Sequence, residues 1–140
     1  MKKPVIKISP ANTETEFVYG QCVIKAVCQC FNLQEKVVVL VAGFMKLKPL
    51  NGLNFYECKK LINKLGETFR FRVKWVSNRS KIEYGQMLTV LNEGRYIAMF
   101  DIHLSYSHNG EVFDDYFYDD NEEIRLKNLQ KIPTGWWEIK

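Results

Sequence analysis

Two residue types that can do covalent chemistry, cysteine and histidine, are unevenly spread along this 140-residue sequence. Cys22, Cys28 and Cys30 crowd into "YGQCVIKAVCQCF", Cys58 stands apart, and the only two histidines are His103 and His108. A zinc site would want a C-x-x-C pair or histidines at ligand spacing, and neither occurs. On one helix Cys28 and Cys30 lie about 240° and about 80° around from Cys22, so the three sulfurs do not converge on one point. Cys22 differs from the others by position, just after Gly20 at the expected start of a helix. Unsatisfied backbone N–H groups and the helix dipole stabilise a thiolate there, and the same N–H groups can hold an oxyanion. A nucleophilic thiol also needs a base and a group that orients the base. His103 precedes Asn109-Gly110, the strongest hairpin signal in the chain, and Asp114 follows it. Folding at that turn sets the two side by side. Asp115 should face the opposite way, as neighbours on a strand do. His108 is expected to be exposed at the turn and is the fallback base. Cys28, Cys30 and Cys58 are expected to be core thiols.

The elements that must position these residues follow from periodicity. Val5, Ile6 and Ile8 suit a short strand, followed by a turn at Pro10-Ala-Asn-Thr. Val23, Ala26, Val27 and Cys30 repeat at i, i+3, i+4, i+7, one apolar helical face that ends near Phe31-Asn32. Asn32 would cap a second helix over 33–44, closed by Gly43. Its three successive valines leave a strand as the alternative. Pro49-Leu-Asn-Gly is a loop. Asn54 and Glu57 form a capping-box pattern ahead of a helix through Phe55, Cys58, Leu61, Ile62 and Leu65, which Gly66 would stop. "TFRFRVKWVS" alternates, predicting a half-buried strand with Arg70, Arg72 and Lys74 as a basic face. A short helix over 83–91 ends at Gly94. A run of strands follows, and "GWWEIK" returns as the last strand. Asp119, Asp120, Glu122 and Glu123 read as a solvated loop. Trp136-Trp137 either close the fold or serve a binding surface. Helices first and antiparallel strands after them mean an α+β fold. Residues 1–19 would be an extended lead-in and 20–140 a single domain.

Composition narrows the function. The chain is 46% hydrophobic and 14% aromatic, enough for a packed core, and its net charge of +4 is well short of a nucleic-acid-binding stripe. The longest apolar run, residues 37–45, is about half of what a membrane helix needs. These features predict a soluble cytoplasmic protein with reduced thiols, no membrane partner and no metal or organic cofactor.

The segments "GQCVIKAV" and "GRYIAMFDIHLSYSHNGEVFD" resemble the opening and the strand–hairpin motif of small papain-like cysteine peptidase domains found largely in bacteriophage and prophage genomes. There a "DCVxRA" opening is followed by a Gly-Arg-Tyr strand, a His and a "DG.V.D" hairpin. Cys22 falls on the family's nucleophile, His103 on its histidine, Asp114 on its acid, and Lys25-Ala26 on the Arg-Ala after the nucleophile. Gln21 stands where the family has Asp. The resemblance implies a papain-like fold, with N-terminal helices packed on a C-terminal antiparallel sheet. It also implies a thiol hydrolase, encoded by a phage, that cleaves an amide bond in a protein or peptide. Gln21 would be the oxyanion helper, with Asn12 or Thr13 in its place otherwise. A silent interaction module that binds a host or virion protein, or a deamidase or acyltransferase with the same triad, would carry the same motifs.

Overall fold

A computed structural model of the chain describes residues 6–11, 21–49, 52–101 and 103–140. The elements run β1 (Ile8–Ser9), α1 (Gln21–Phe31), α2 (Glu35–Phe44), α3 (Phe55–Phe69), β2 (Val73–Ser77), α4 (Tyr84–Val90), β3 (Arg95–Phe100), β4 (His103–His108), β5 (Glu111–Phe113), α5 (Glu122–Leu129) and β6 (Gly135–Ile139). This is an α+β fold on one six-stranded sheet, in the order β1-β5-β4-β3-β6-β2.

The sheet departs from the purely antiparallel one expected. β1 pairs with β5 in parallel, because the early chain runs along the free edge of β5: Val112 N–H donates to Lys7 O at 2.9 Å and Asp114 N–H to Ser9 O at 2.8 Å. The remaining pairings are antiparallel. Helices cover both faces. Ile97, Met99, Leu104, Tyr106, Trp137 and Ile139 pack with α1, α2 and α3 in one core. Tyr96, Ala98, Phe100 and Val112 pack with Tyr84, Met87 and Leu88 of α4 in the other, with Leu129 of α5 against them. The alternation along β3 is the period of two that a central strand shows when both its faces are buried. The two tryptophans split between the layers. Trp137 is fully buried beside Trp75 and Phe55, with ring centroids 4.6 and 6.0 Å away, while half-buried Trp136 lies against the second core.

Local chemistry sets the helix limits. α1 carries the expected apolar face and ends at Asn32, whose φ of 54° is left-handed; Leu33 N–H then reaches back to Cys28 O at 3.0 Å. Asn32 therefore closes α1 rather than capping α2, whose N-cap is Gln34 with no side-chain bond. The valines of α2 are helical, and Gly43 lies inside that helix; the stop comes at Lys46, φ 60°. The capping box at α3 forms as expected, with Glu57 N–H to Asn54 Oδ1 at 2.9 Å and Asn54 N–H to Glu57 Oε1 at 3.2 Å. Such a cap contributes about 1 kcal/mol.

Gly66 does not stop α3, which continues to Phe69 and ends at left-handed Arg70. Gly66 is needed because the helix crosses β2 there. A Cβ on it would lie 2.4 Å from Val73 Cγ2. The predicted basic strand face is thus dissolved: Arg70 ends a helix, Arg72 lies between elements, and only Lys74 is on β2. The acidic stretch is not all loop either. Asn121 caps α5, accepting from Glu123 N–H at 2.9 Å, with Glu122 and Glu123 in the first turn, where the helix dipole favours them. Within Pro49-Leu-Asn-Gly, Leu50 and Asn51 lie outside the described residues, as do Val5 and most of 1–19. No single helix among the described residues is long and apolar enough to cross a membrane.

Candidate active site

The chemistry-bearing residues meet at one end of the sheet, where α1 begins, β4 begins and β5 has just ended. Asn109 and Gly110, with φ of 50° and 80°, make the two-residue turn that joins β4 to β5. The turn fixes the register Ser107↔Val112. Two residues further on, the same register sets Asp114 opposite Ser105, on the sheet face shared by His103 and one diagonal step from it. There His103 Nε2 and Asp114 Oδ2 are 2.5 Å apart, and both side chains are more than nine-tenths buried. Backbone fixes the acid: Tyr116 N–H donates to Asp114 Oδ1 at 2.9 Å, and the Asp114 amide is held by Ser9 of β1. β1, which the sequence places in a mere lead-in, thereby positions the site.

With Nε2 committed to Asp114, the other ring nitrogen, Nδ1, is left for Cys22. Cys22 is the second residue of α1 and half-buried. Burial alone would push its thiol up; the hydrogen bond to His103, the N–H groups of Leu104 and Val23, and the charge on the imidazole outweigh it and hold the thiol below its ordinary value. Burial likewise opposes the charge on His103, yet the bond to Asp114 and the bond to Cys22 raise it from 6.5 to about 9. The two shifts have one cause in common, the contact between Cys22 and His103, and they favour the charged form of each partner.

Five neighbours complete the site. The Tyr116 and Phe117 rings lie 4.6 and 5.1 Å from the His103 ring, both tilted against it. Lys131 Nζ sits 4.9 Å over the Tyr116 ring. One turn along α1 from Cys22, Lys25 pairs with Asp115, which also accepts from Ala11 N–H at 2.7 Å; β5 ends at Phe113, so the strand alternation expected of Asp114 and Asp115 does not apply, and both line the cavity beside His103. Sequence reasoning did not find Tyr116 or the Leu104 N–H. The only available signal for Tyr116 was its place two residues after the acid, and for Leu104 its place directly after His103.

Two cavities meet at the pair. One, of about 290 Å³, has Ala26, Leu104, Tyr106 and Phe113 as its apolar walls and the Lys25–Asp115 pair beside them. The other, of about 270 Å³, has Val23, Leu53, Asn54, Cys58, Met99 and Asp101 around it. Both include Cys22 and His103. A groove of about 900 Å³ lies between α4 and α5 on the opposite face, and it has neither cysteine nor histidine in its walls.

The remaining predicted residues fall elsewhere. His108 is exposed at the far end of β4, about 17 Å from His103 by strand rise, and is not the base. Cys28 and Cys30 are buried in the core under α1; burial raises Cys28 to about 12 and Cys30 further. Cys58, 1% exposed, is likewise raised to about 12. All four cysteines are free thiols. The Gln21 side chain, Asn12 and Thr13 lie outside the described residues. Among the described residues no group of three or more His, Cys, Asp or Glu side chains is arranged to hold a metal ion. Comparison with known protein families, with curated proteins and with solved structures finds no match to this chain.

Proposed function

We propose that this chain is a papain-like thiol hydrolase of phage or prophage type that cleaves an amide bond in a protein or peptide through an acyl-enzyme on Cys22. One observation carries the reading: the His103–Asp114 pair, 2.5 Å apart and buried, lies with Cys22 of the α1 start in the walls of the same two cavities, and His103 helps hold the Cys22 thiol below its ordinary value. A core cysteine has no use for an oriented, charged imidazole beside it.

The steps balance with groups already in place. The Cys22 thiolate attacks the carbonyl carbon, and the oxyanion is received by the Cys22 backbone N–H, one of the helix-start donors that lack an intrahelical acceptor. As the C–N bond breaks and the thioester remains, the His103 imidazolium gives its Nδ1 proton to the leaving amine. Water then attacks the thioester carbon, giving its proton to His103, and the C–S bond breaks to restore the thiolate. Asp114 keeps Nε2 protonated and stabilises the imidazolium throughout. No step calls for a metal or an organic cofactor. Deamidation and acyl transfer to an amine would proceed through the same thioester, and only the group that resolves it would differ.

An activated ester tests the acyl-enzyme without knowledge of the substrate. p-Nitrophenyl acetate should release one rapid equivalent of nitrophenol and leave an acetyl group on the Cys22 peptide. A burst that survives in Cys22→Ala, or acetyl groups spread over lysines at the same rate in His103→Ala, would rule the reading out.

A further inference from the structure

Cys58 has no part in the mechanism above, yet it lines the same cavity as the nucleophile. It lies in the first turn of α3, and its sulfur donates toward Leu53 O at 3.8 Å. It shares the 270 Å³ cavity with Cys22, whereas Cys28 and Cys30 are not in the walls of that cavity. We propose that Cys58 is the resolving thiol for Cys22: a hydroperoxide oxidises Cys22 to a sulfenic acid, and Cys58 condenses with it to form a disulfide that closes the site reversibly.

The chemistry balances in two steps. The Cys22 thiolate attacks the near oxygen of the hydroperoxide, the O–O bond breaks, and the peroxide leaves as alkoxide or hydroxide, reduced by two electrons. The Cys58 sulfur then attacks the Cys22 sulfur. The S–O bond breaks, and the departing oxygen takes the Cys58 proton and leaves as water. A dithiol reductant returns the two electrons and restores both thiols.

The environment gates the order of events. Cys22 is the half-exposed thiol, held below its ordinary value, that a small peroxide reaches, while Cys58 is buried and held protonated. Burial is the main cause of that protonation, and the negative charge on Cys22 adds to it. The peroxide therefore meets Cys22 first, and Cys58 keeps its proton until it condenses with the sulfenic acid. The consequence is protection. An unresolved sulfenic acid proceeds to sulfinic acid, which dithiols do not reverse.

The proposal needs the Cys22 thiolate but not hydrolysis, so it can fail while the hydrolase reading holds, and the reverse. The test is a non-reduced peptide map of the full chain after a few equivalents of hydrogen peroxide and maleimide quenching. The expected result is a Cys22–Cys58 cross-linked peptide, an intact mass lower by two hydrogens, and loss of fast Cys22 alkylation that dithiothreitol restores. In Cys58→Ala, dimedone should trap the sulfenic acid, and prolonged peroxide should leave inactivation that dithiothreitol does not reverse. The wild-type map is decisive by itself if the variant folds poorly. Sulfinic acid on Cys22 with Cys58 still alkylatable once the chain is unfolded, a cross-link through Cys28 or Cys30, or no oxidation of Cys22 would each overturn the proposal.

Discussion

The start and the middle of α1 carry the same functional group in opposite states. Cys22, in the first turn, is held below the ordinary thiol value; Cys28, about 9 Å further along the axis by helical rise, is held at about 12. Both lose solvation, so burial pushes both upward. The difference lies in what the first turn can supply. Cys22 meets backbone N–H groups of Val23 and Leu104 and a charged imidazole, whereas Cys28 meets apolar side chains and the carboxylate of Glu35. Reactivity at a cysteine is thus a property of its place on the helix and of the strand end that faces it.

That contrast can be broken from the side of the partners. Removing the imidazole should have the largest effect. His103→Ala should slow Cys22 alkylation at pH 7 and acyl-enzyme formation by about 10²-fold to 10⁴-fold, as expected for loss of a general acid–base, and stopped-flow labelling would measure it. Asp114→Asn should follow, at on the order of 10²-fold in turnover. This is less than the ~10⁴-fold of a serine triad, because the thiolate is already ionised before attack. An unchanged rate would show that Asp114 is only a structural acid. Tyr116→Ala, which removes the ring packed on His103, should cost about 2-fold to 10-fold in kcat, in keeping with an aromatic contact of about 1 kcal/mol. It should also lower the alkaline limb of the pH–rate profile, a change that a merely structural role would not produce.

The contrast can also be sharpened from the other side. Cys30→Ala should leave alkylation of Cys22 and turnover unchanged while destabilising the fold by about 1–2 kcal/mol, read from urea unfolding, since it empties volume in the core.

The pH dependence follows from the signs. Turnover requires the thiolate and the imidazolium together. Activity should therefore be lost toward acid as Cys22 gains a proton, at a pH below that of a free thiol, and toward alkali as His103 loses its proton near 9. Both limits belong to the pair rather than to either residue.

Much of this site was legible in the sequence because short-range rules carry it. The helical spacing after Cys22 and the Asn109-Gly110 turn set the three residues on their elements, and the hairpin register brings Asp114 to His103. What escaped was decided by contacts between distant segments. "TFRFRVKWVS" alternates like a strand, but its first residues finish α3, because Gly66 lets that helix cross close over Val73. The pairing of β1 with β5, which fixes the Asp114 backbone, has no local signature, because a two-residue parallel strand is defined only by its partner. α5 was hidden by its acids, read as a charge cluster although Asn121 caps them. Tyr116 follows the acid in a turn, and nothing in its neighbours announces that it stacks on His103.

The most direct test is a pH titration of iodoacetamide labelling, with the rate at each of the four cysteines read by peptide mapping in the folded chain and in His103→Ala. The account predicts that Cys22 alone labels in the native protein, with an apparent pKa below the ~8.5 of a free thiol, that this advantage disappears without His103, and that Cys28, Cys30 and Cys58 react only on unfolding. Labelling of Cys22 that follows a free-thiol titration, or that is the same in the two chains, would contradict it.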